Sequence, residues 1–417
     1  MQVESSVLSF NAMLLLSLLV IHVSWYILLA ISFLKRNEKK KIEKYPLVSV
    51  LIPAYNEEKN IGKCIQSVLN LDYPKNKLEI IIVDDGSTDN TYNVAKRYKV
   101  KVYRIEHRGK HFALNYGLEK CRGEYILILD ADTLISKEFL RKAIPSFTKG
   151  VGAISAAMNI WNDKNVVTLF QKVEYIFASL FKKALNSLDR GSLYIFGAAS
   201  IYRASLLKKL KFKNVSTEDF DLAVRIQAQG YKTIQIDSVA YTKVPESVKL
   251  LYKQRIRWYS HALHLFKLYR FKFFKSFSSL SLYTLPLTYY WYFFAILSVP
   301  LTFYQIYYWI PRSFFEALFF IFRWFSFFGT LYNIYMLQFW QINANLILGI
   351  LISILSFFFI LLSLLYYKQL NLRTFMVSLF IYPYFFFIIN FSLIFSLTIF
   401  LKNYLTNKFP HFGVLYQ

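Results

Sequence analysis

Two aspartates one residue apart, Asp130 and Asp132 in YILILDADT, follow a short apolar run. They stand where a strand would end and the chain would emerge from a sheet. Two carboxylates so placed repel one another unless a cation lies between them. Mg²⁺ or Mn²⁺ meets that need, because such ions take one or two protein carboxylates and fill their shell with substrate oxygens. The plain alternative is a solvated acidic turn.

Four more stretches carry residue types that could join such a site. In IVDDGSTDNT, Asp84 or Asp85 could accept a nucleobase N–H; structurally, Gly86 allows a turn and Asp89 caps the next helix. In RGKHFALNYGL, Lys110 stands at a helix start whose free N–H groups suit an anion, or it belongs to a basic surface turn. In STEDFDLAVRIQAQG, Ser216 or Thr217 caps a helix, acids including Glu218 and Asp219 fill its first turn, and Gly230 stops it. A carboxylate at that place could also take a proton from a hydroxyl. In QRIRW, Gln254, Arg257 and Trp258 fall at i, i+3 and i+4 and share one helix face. That helix either rests at a lipid interface, helped by Arg255, Lys267, Arg270 and Lys272, or stacks a sugar on Trp258 and pairs Arg257 with a diphosphate.

The elements that must hold these residues are readable in outline. VSVLIPAY, LEIIIVDD, KVYRIE and YILILD predict strands, and the stretches 58–69, 90–98 and 110–120 predict helices between them. Continuous apolar strands alternating with amphipathic helices imply a mostly parallel sheet covered on both faces. Ligands of such sheets bind beyond the carboxyl ends of the strands, where the polar residues cluster. This α/β domain is expected over residues 46–248, followed by an amphipathic interfacial helix over 249–275.

Composition places the domain at a membrane. The chain has 417 residues, 55% hydrophobic and 19% aromatic, with a formal net charge of +25. Residues 7–34 contain no charged side chain and are long enough to span a bilayer as a retained anchor. The next ten residues, KRNEKKKIEK, carry six Lys/Arg against two Glu, which marks the cytoplasmic side. About three to four further spans are expected within 282–401, near 282–310, 313–340, 342–367 and 374–401, with a cytoplasmic tail at 402–417. Pro383 is a candidate break. Trp291, Trp324 and Trp340 either line a path through the spans or merely pack there, and Arg323 either marks a functional site, or snorkels or pairs with Glu316. The basic excess suits anionic lipid and phosphate, and no nucleic-acid motif accompanies it. Cys64 and Cys121 are expected as reduced thiols.

In order, PAYNE, DDGS, GKxxALN, DAD, TED and QxxRW resemble the family 2 glycosyltransferases of GT-A fold, in the processive branch of membrane polysaccharide synthases. That branch includes the poly-N-acetylglucosamine, hyaluronan, chitin and cellulose synthases, and the short span pattern looks most like the first. The resemblance implies a Rossmann-like GT-A domain in the cytoplasm plus an α-helical transmembrane region. It implies that Pro53, Tyr55, Glu57, Asp84, Asp85, Lys110 and Asp130 hold a nucleotide sugar, and that Asp130 and Asp132 hold the metal. Asp219 becomes the general base, while Glu218, Gln254, Arg257 and Trp258 face acceptor and diphosphate. FGAASIYRASLL, residues 196–207, resembles an acceptor-side loop in which Ala198 and Ala199 replace more polar residues. The implied reaction is inverting transfer from a UDP-hexose or UDP-N-acetylhexosamine to a glycan or lipid-linked acceptor. Its product is a growing β-linked polysaccharide, pushed through the spans in processive relatives. Transfer of one sugar to a lipid or polyprenyl phosphate is the alternative. Sugar identity, linkage and oligomeric state stay open.

Overall fold

The computed structural model describes residues 2–35, 42, 44–193, 197–215, 217–269, 277–336 and 343–406. Arg270, Lys272, Ser216, Phe196 and Trp340, with most of the basic segment 36–41 and the tail beyond residue 406, lie outside the described residues. An eight-stranded sheet forms the domain, in the order β3-β2-β1-β4-β7-β6-β8-β5. The four expected strands are present as β1 (Val48–Ala54), β2 (Leu78–Asp84), β3 (Lys101–Arg104) and β4 (Tyr125–Leu129). All four run parallel, and β1 lies between β2 and β4. The strand order therefore reverses beside β1, and the crevice above β1 and β4 is where such sheets take ligands. Pro53 costs no pairing with β4, because that pairing ends at Leu51.

The second half of the sheet is mixed. β5 (Leu134–Ile135), β6 (Val151–Ile160), β7 (Ala199–Arg203) and β8 (Lys232–Thr242) complete it. β7 runs against both β4 and β6, so the segment entering β7 meets the end of β4. The helices Ile61–Leu69, Thr91–Lys96 and Lys110–Lys120 cover the parallel half.

Helix Val166–Leu185 joins the domain to the apolar helices. On one side its Ser179 accepts the N–H of Met158 in β6 at 2.9 Å. On the other, Phe177 and Phe181 pack on Trp25 of the first helix, and Ser32 donates to the Lys183 carbonyl at 2.8 Å. Among the described residues, three helices are long and apolar enough to cross a membrane: Ser9–Leu34, Ala344–Tyr366 and Ile381–Leu405. Phe314–Trp324 and Phe327–Met336 make a fourth if they are one span, but they bend by 104°. The sharp break thus falls near Phe325 and Ser326, while Pro383 precedes a π-helical turn, Tyr384–Asn390, inside a continuous helix. Leu285–Trp309 is 25 residues long and rich in tyrosine. Trp291 packs with Trp25, and Trp324 with Trp309. Arg323 lies over the rings of Tyr332 (3.9 Å) and Phe319 (4.9 Å) rather than pairing with Glu316.

At the amino ends of the strands, opposite the crevice, Glu79 ties the sheet together. It accepts from Ser49 (2.6 Å), Lys101 (2.8 Å) and Arg122 (3.0 Å). Burial alone would raise its pKa, but these donors outweigh it and hold the carboxyl at about 2. A depressed native pKa contributes stability above the unfolded value that is lost as pH falls toward 2. Glu79→Gln is expected to cost on the order of 3 kcal/mol at neutral pH. Thermal unfolding of the full chain should show that cost vanish between about pH 5 and pH 2.

Candidate active site

The site is assembled from the carboxyl ends of β1, β2 and β4 and the starts of two helices. After β1, Asn56 adopts a left-handed conformation (φ 54°) and caps the facing loop, accepting the N–H of Thr88 at 2.8 Å. The Glu57 N–H donates to Thr91 and the Glu58 N–H to Asp89, so the first two loops are laced together. The cap position falls to Asn90, not Asp89 as expected; Asp89, one residue earlier, accepts the N–H of Thr91 at 3.0 Å. Gly86 takes φ 70°, and a Cβ there would lie 2.7 Å from the His107 nitrogen.

Asp84 and Asp85 have different surroundings. The Asp85 carboxylate accepts the N–H groups of Arg108 (3.0 Å) and Gly109 (2.9 Å) and meets His107 at 3.0 Å. It fixes the turn that aims helix Lys110–Lys120. Asp84 is fully buried, and neither of its oxygens has a hydrogen-bond partner among the described residues. Arg104 stands 3.3 Å away. Asp85 is thus already engaged by three groups, while Asp84 keeps its acceptor sites unused among the described residues. Tyr55 stacks on His107 at 4.1 Å beside them.

Lys110 sits at the centre. Its ammonium lies 2.8 Å from Asp130 and 2.8 Å from Glu218, joining the end of β4 to the helix Glu218–Ala228. Burial would lower its pKa, but the two carboxylates hold it well above the usual lysine value. Asp132 is pushed to about 7 by burial, then by Asp130 and Glu57; Thr133 and Thr242 donate to it at 3.1 and 3.4 Å. Glu57 is raised in turn, by burial first. Such a cluster has an unmet need for positive charge. All its donors are oxygens, which suits a hard divalent cation. Among the described residues no three His, Cys, Asp or Glu side chains converge on one ion position, so the protein would supply two carboxylates at most.

Asp219 is held from two sides. Its Oδ2 accepts the Gly197 N–H at 3.0 Å and its Oδ1 the Phe220 N–H at 2.8 Å. Burial, then the Glu218 charge, raises its pKa to about 6. Sequence reasoning missed Gly197. A Cβ there would lie 2.6 Å from Asp219 Oδ2, so only glycine admits this contact. Because β7 runs antiparallel beside β4, the same loop also reaches Asp130, whose N–H donates to the Ala198 carbonyl at 3.0 Å. Thr217 occupies the helix cap position without a side-chain capping bond.

Gln254, Arg257 and Trp258 lie on helix Val248–Tyr269, as the spacing predicts. Gln254 Oε1 and Arg257 Nε are buried without hydrogen-bond partners among the described residues. Trp258 packs on the core of the sheet. The expectation that Arg255 faces lipid is corrected, because it is fully buried. The helix is docked between protein surfaces: Ser396 donates to the Ile256 carbonyl at 3.2 Å and Tyr292 to that of Tyr259 at 2.6 Å.

Residues 49–211 match the model of glycosyl transferase family 2. The poly-beta-1,6-N-acetyl-D-glucosamine synthase of Staphylococcus epidermidis is 32% identical over 237 residues, which is 54% of this chain and 56% of that one. The synthase of the same description from Staphylococcus aureus is 29% identical over 54% of this chain and 57% of its own. The match thus spans little more than half of each relative. A mannosyltransferase from Pyrobaculum calidifontis, solved with GDP-Man and Mn²⁺, superposes over 94% of this chain and 99% of its own, with a TM-score of 0.56 and 19% identity. It shares the fold.

Gly197→Ala is expected to push the Asp219 carboxylate aside. Loss of the Gly197 N–H bond to Asp219 should cost about 2 kcal/mol of stability, the worth of a hydrogen bond to a charged group, read in thermal unfolding of the full chain.

Proposed function

We infer that this chain, which carries a family 2 glycosyl transferase domain over residues 49–211, is an inverting, UDP-sugar-dependent glycosyltransferase that extends a β-linked polysaccharide. The observation that supports this most is the meeting of Asp130, Lys110 and Glu218 through two 2.8 Å ion pairs, directly beside the buried base Asp219. Donor-side and acceptor-side groups thereby share one centre. The synthases that this chain resembles are named for poly-β-1,6-N-acetyl-D-glucosamine, which makes UDP-N-acetylglucosamine the first donor to test.

The chemistry follows from the geometry. Asp84 accepts the N–H of a uracil ring and Tyr55 lies alongside it. Asp130 and Asp132 would hold a divalent cation, Mg²⁺ or Mn²⁺, which when bound neutralises the diphosphate. Asp219 removes the proton of an acceptor hydroxyl as its oxygen attacks the anomeric carbon. The bond from that carbon to the diphosphate oxygen breaks on the opposite face, so the configuration inverts. Lys110 and Arg257 stabilise the charge that develops on the leaving diphosphate. Trp258 stacks the acceptor sugar, and Gln254 hydrogen-bonds beside it. The long apolar helices support work at a membrane, and we read it as the cell membrane with the domain in the cytoplasm.

Asp219 must be ionised to accept a proton, and its pKa is raised to about 6. The pH profile of kcat/KM should therefore carry an acidic limb near pH 6, with activity falling as pH drops through it. Asp219→Asn should reduce transfer by about 10²- to 10⁴-fold and leave UDP binding intact. Purified protein supplied with UDP-N-acetylglucosamine and Mg²⁺ or Mn²⁺ should yield a long polymer. A single-sugar lipid product would replace the polymerase reading, and a near-normal rate in Asp219→Asn would remove Asp219 as the base.

A further inference from the structure

Helix Val248–Tyr269 carries a second arginine beside Arg257, and its surroundings are specific. Arg255 is 0% exposed. Its Nη2 donates to Glu174 at 2.6 Å and to the Tyr384 hydroxyl at 3.4 Å. The Tyr384 hydroxyl donates to the same Glu174 oxygen. Glu174 is the only acid on the helix Val166–Leu185, which is otherwise apolar, polar or basic. Tyr384 opens the π-helical turn of the last long apolar helix. Three separate elements therefore meet at one guanidinium. The Tyr252 hydroxyl also donates to the Phe387 carbonyl in that turn, where the altered backbone pattern frees acceptors.

The plane of the guanidinium is used as well. Its carbon lies 4.4 Å from the Trp258 ring centre. Nε and Nη1 have no hydrogen-bond partner among the described residues, as befits a group that rests on an aromatic face. Arg255 therefore covers part of the indole, whose remaining surface is half-buried beside the sheet core. A buried ion pair is often no more stabilising than apolar residues of the same volume, so stability alone is a weak reason for one.

We propose that Glu174 and Tyr384 are positioning residues that hold Arg255 flat against Trp258, and so set the angle of the indole as an acceptor-sugar platform. Through Tyr384 the platform is tied to the last membrane helix, so movement of that helix changes how the acceptor is held. This rests on the reading of Trp258 as the acceptor platform.

The test uses the full chain in detergent micelles, with Glu174→Gln, Glu174→Asp and Tyr384→Phe. Two quantities are measured for each. One is the KM for added N-acetylglucosamine oligomers against the KM for the nucleotide sugar. The other is the emission of Trp258, taken as the difference from the same variant carrying Trp258→Phe. Tyr384→Phe keeps the ring and should raise the acceptor KM about tenfold, the worth of one hydrogen bond to a charged group. Glu174→Gln should approach about 10²-fold, as for a misplaced binding group, and Glu174→Asp should recover part of it. The donor KM should stay put, and the Trp258 emission should shift in the same order. Donor and acceptor KM rising together, or an unchanged Trp258 emission in both Glu174→Gln and Tyr384→Phe, would overturn the proposal. If the wild-type chain elongates no oligomer from any nucleotide sugar, the functional reading fails instead, and the emission series alone then decides whether the clamp exists.

Discussion

One ammonium group must serve a crowd of carboxylates. Lys110 stands 2.8 Å from Asp130 and from Glu218, with Asp132 and Asp219 close enough to feel its field, while Glu57 feels Lys243 and Asp130. A single positive charge does not balance five acids. Burial first, then the neighbouring carboxylates, raises Asp132 to about 7 and Asp219 to about 6. Carboxylates crowded in this way favour added positive charge.

That balance depends on how the sheet is wound. The parallel half brings Asp84 and Asp130 to one edge, and the reversed strand β7 returns the chain to the same edge with Gly197 and Ala198 at its mouth. Gly197 then holds Asp219 through a backbone N–H. The reversal therefore lets one loop contact both Asp219 and Asp130. The position of Lys110 is set in turn by Asp85, which fixes the turn ahead of its helix.

The long apolar helices meet the site through two helices. Val166–Leu185 packs against β6 on one face and on Trp25 and Phe359 on the other. Val248–Tyr269 packs Trp258 on the sheet core while its carbonyls accept bonds from Ser396 and Tyr292. The apolar helices therefore act as a floor to the catalytic domain, and Arg255 with Glu174 and Tyr384 is the point where floor and site are pinned together.

Local patterns in the sequence determined strands β1 to β4, the helix 110–120, the acidic turns after β2 and β4, and the shared face of Gln254, Arg257 and Trp258. These rest on apolar runs, turn residues and helical spacing, which act over a few residues. β6 escaped because VGAISAAMNI, though mostly apolar and fully buried, is rich in alanine and has few of the β-branched or aromatic residues that mark a strand. The division of labour between Asp84 and Asp85 escaped too, since it depends on a turn 23 residues away. Arg255 is the clearest case. In sequence it is one more basic residue near a membrane. Only the fold, by bringing Glu174 from 81 residues before it and Tyr384 from 129 after it, supplies the countercharge and hydroxyl that make burial of a guanidinium tolerable.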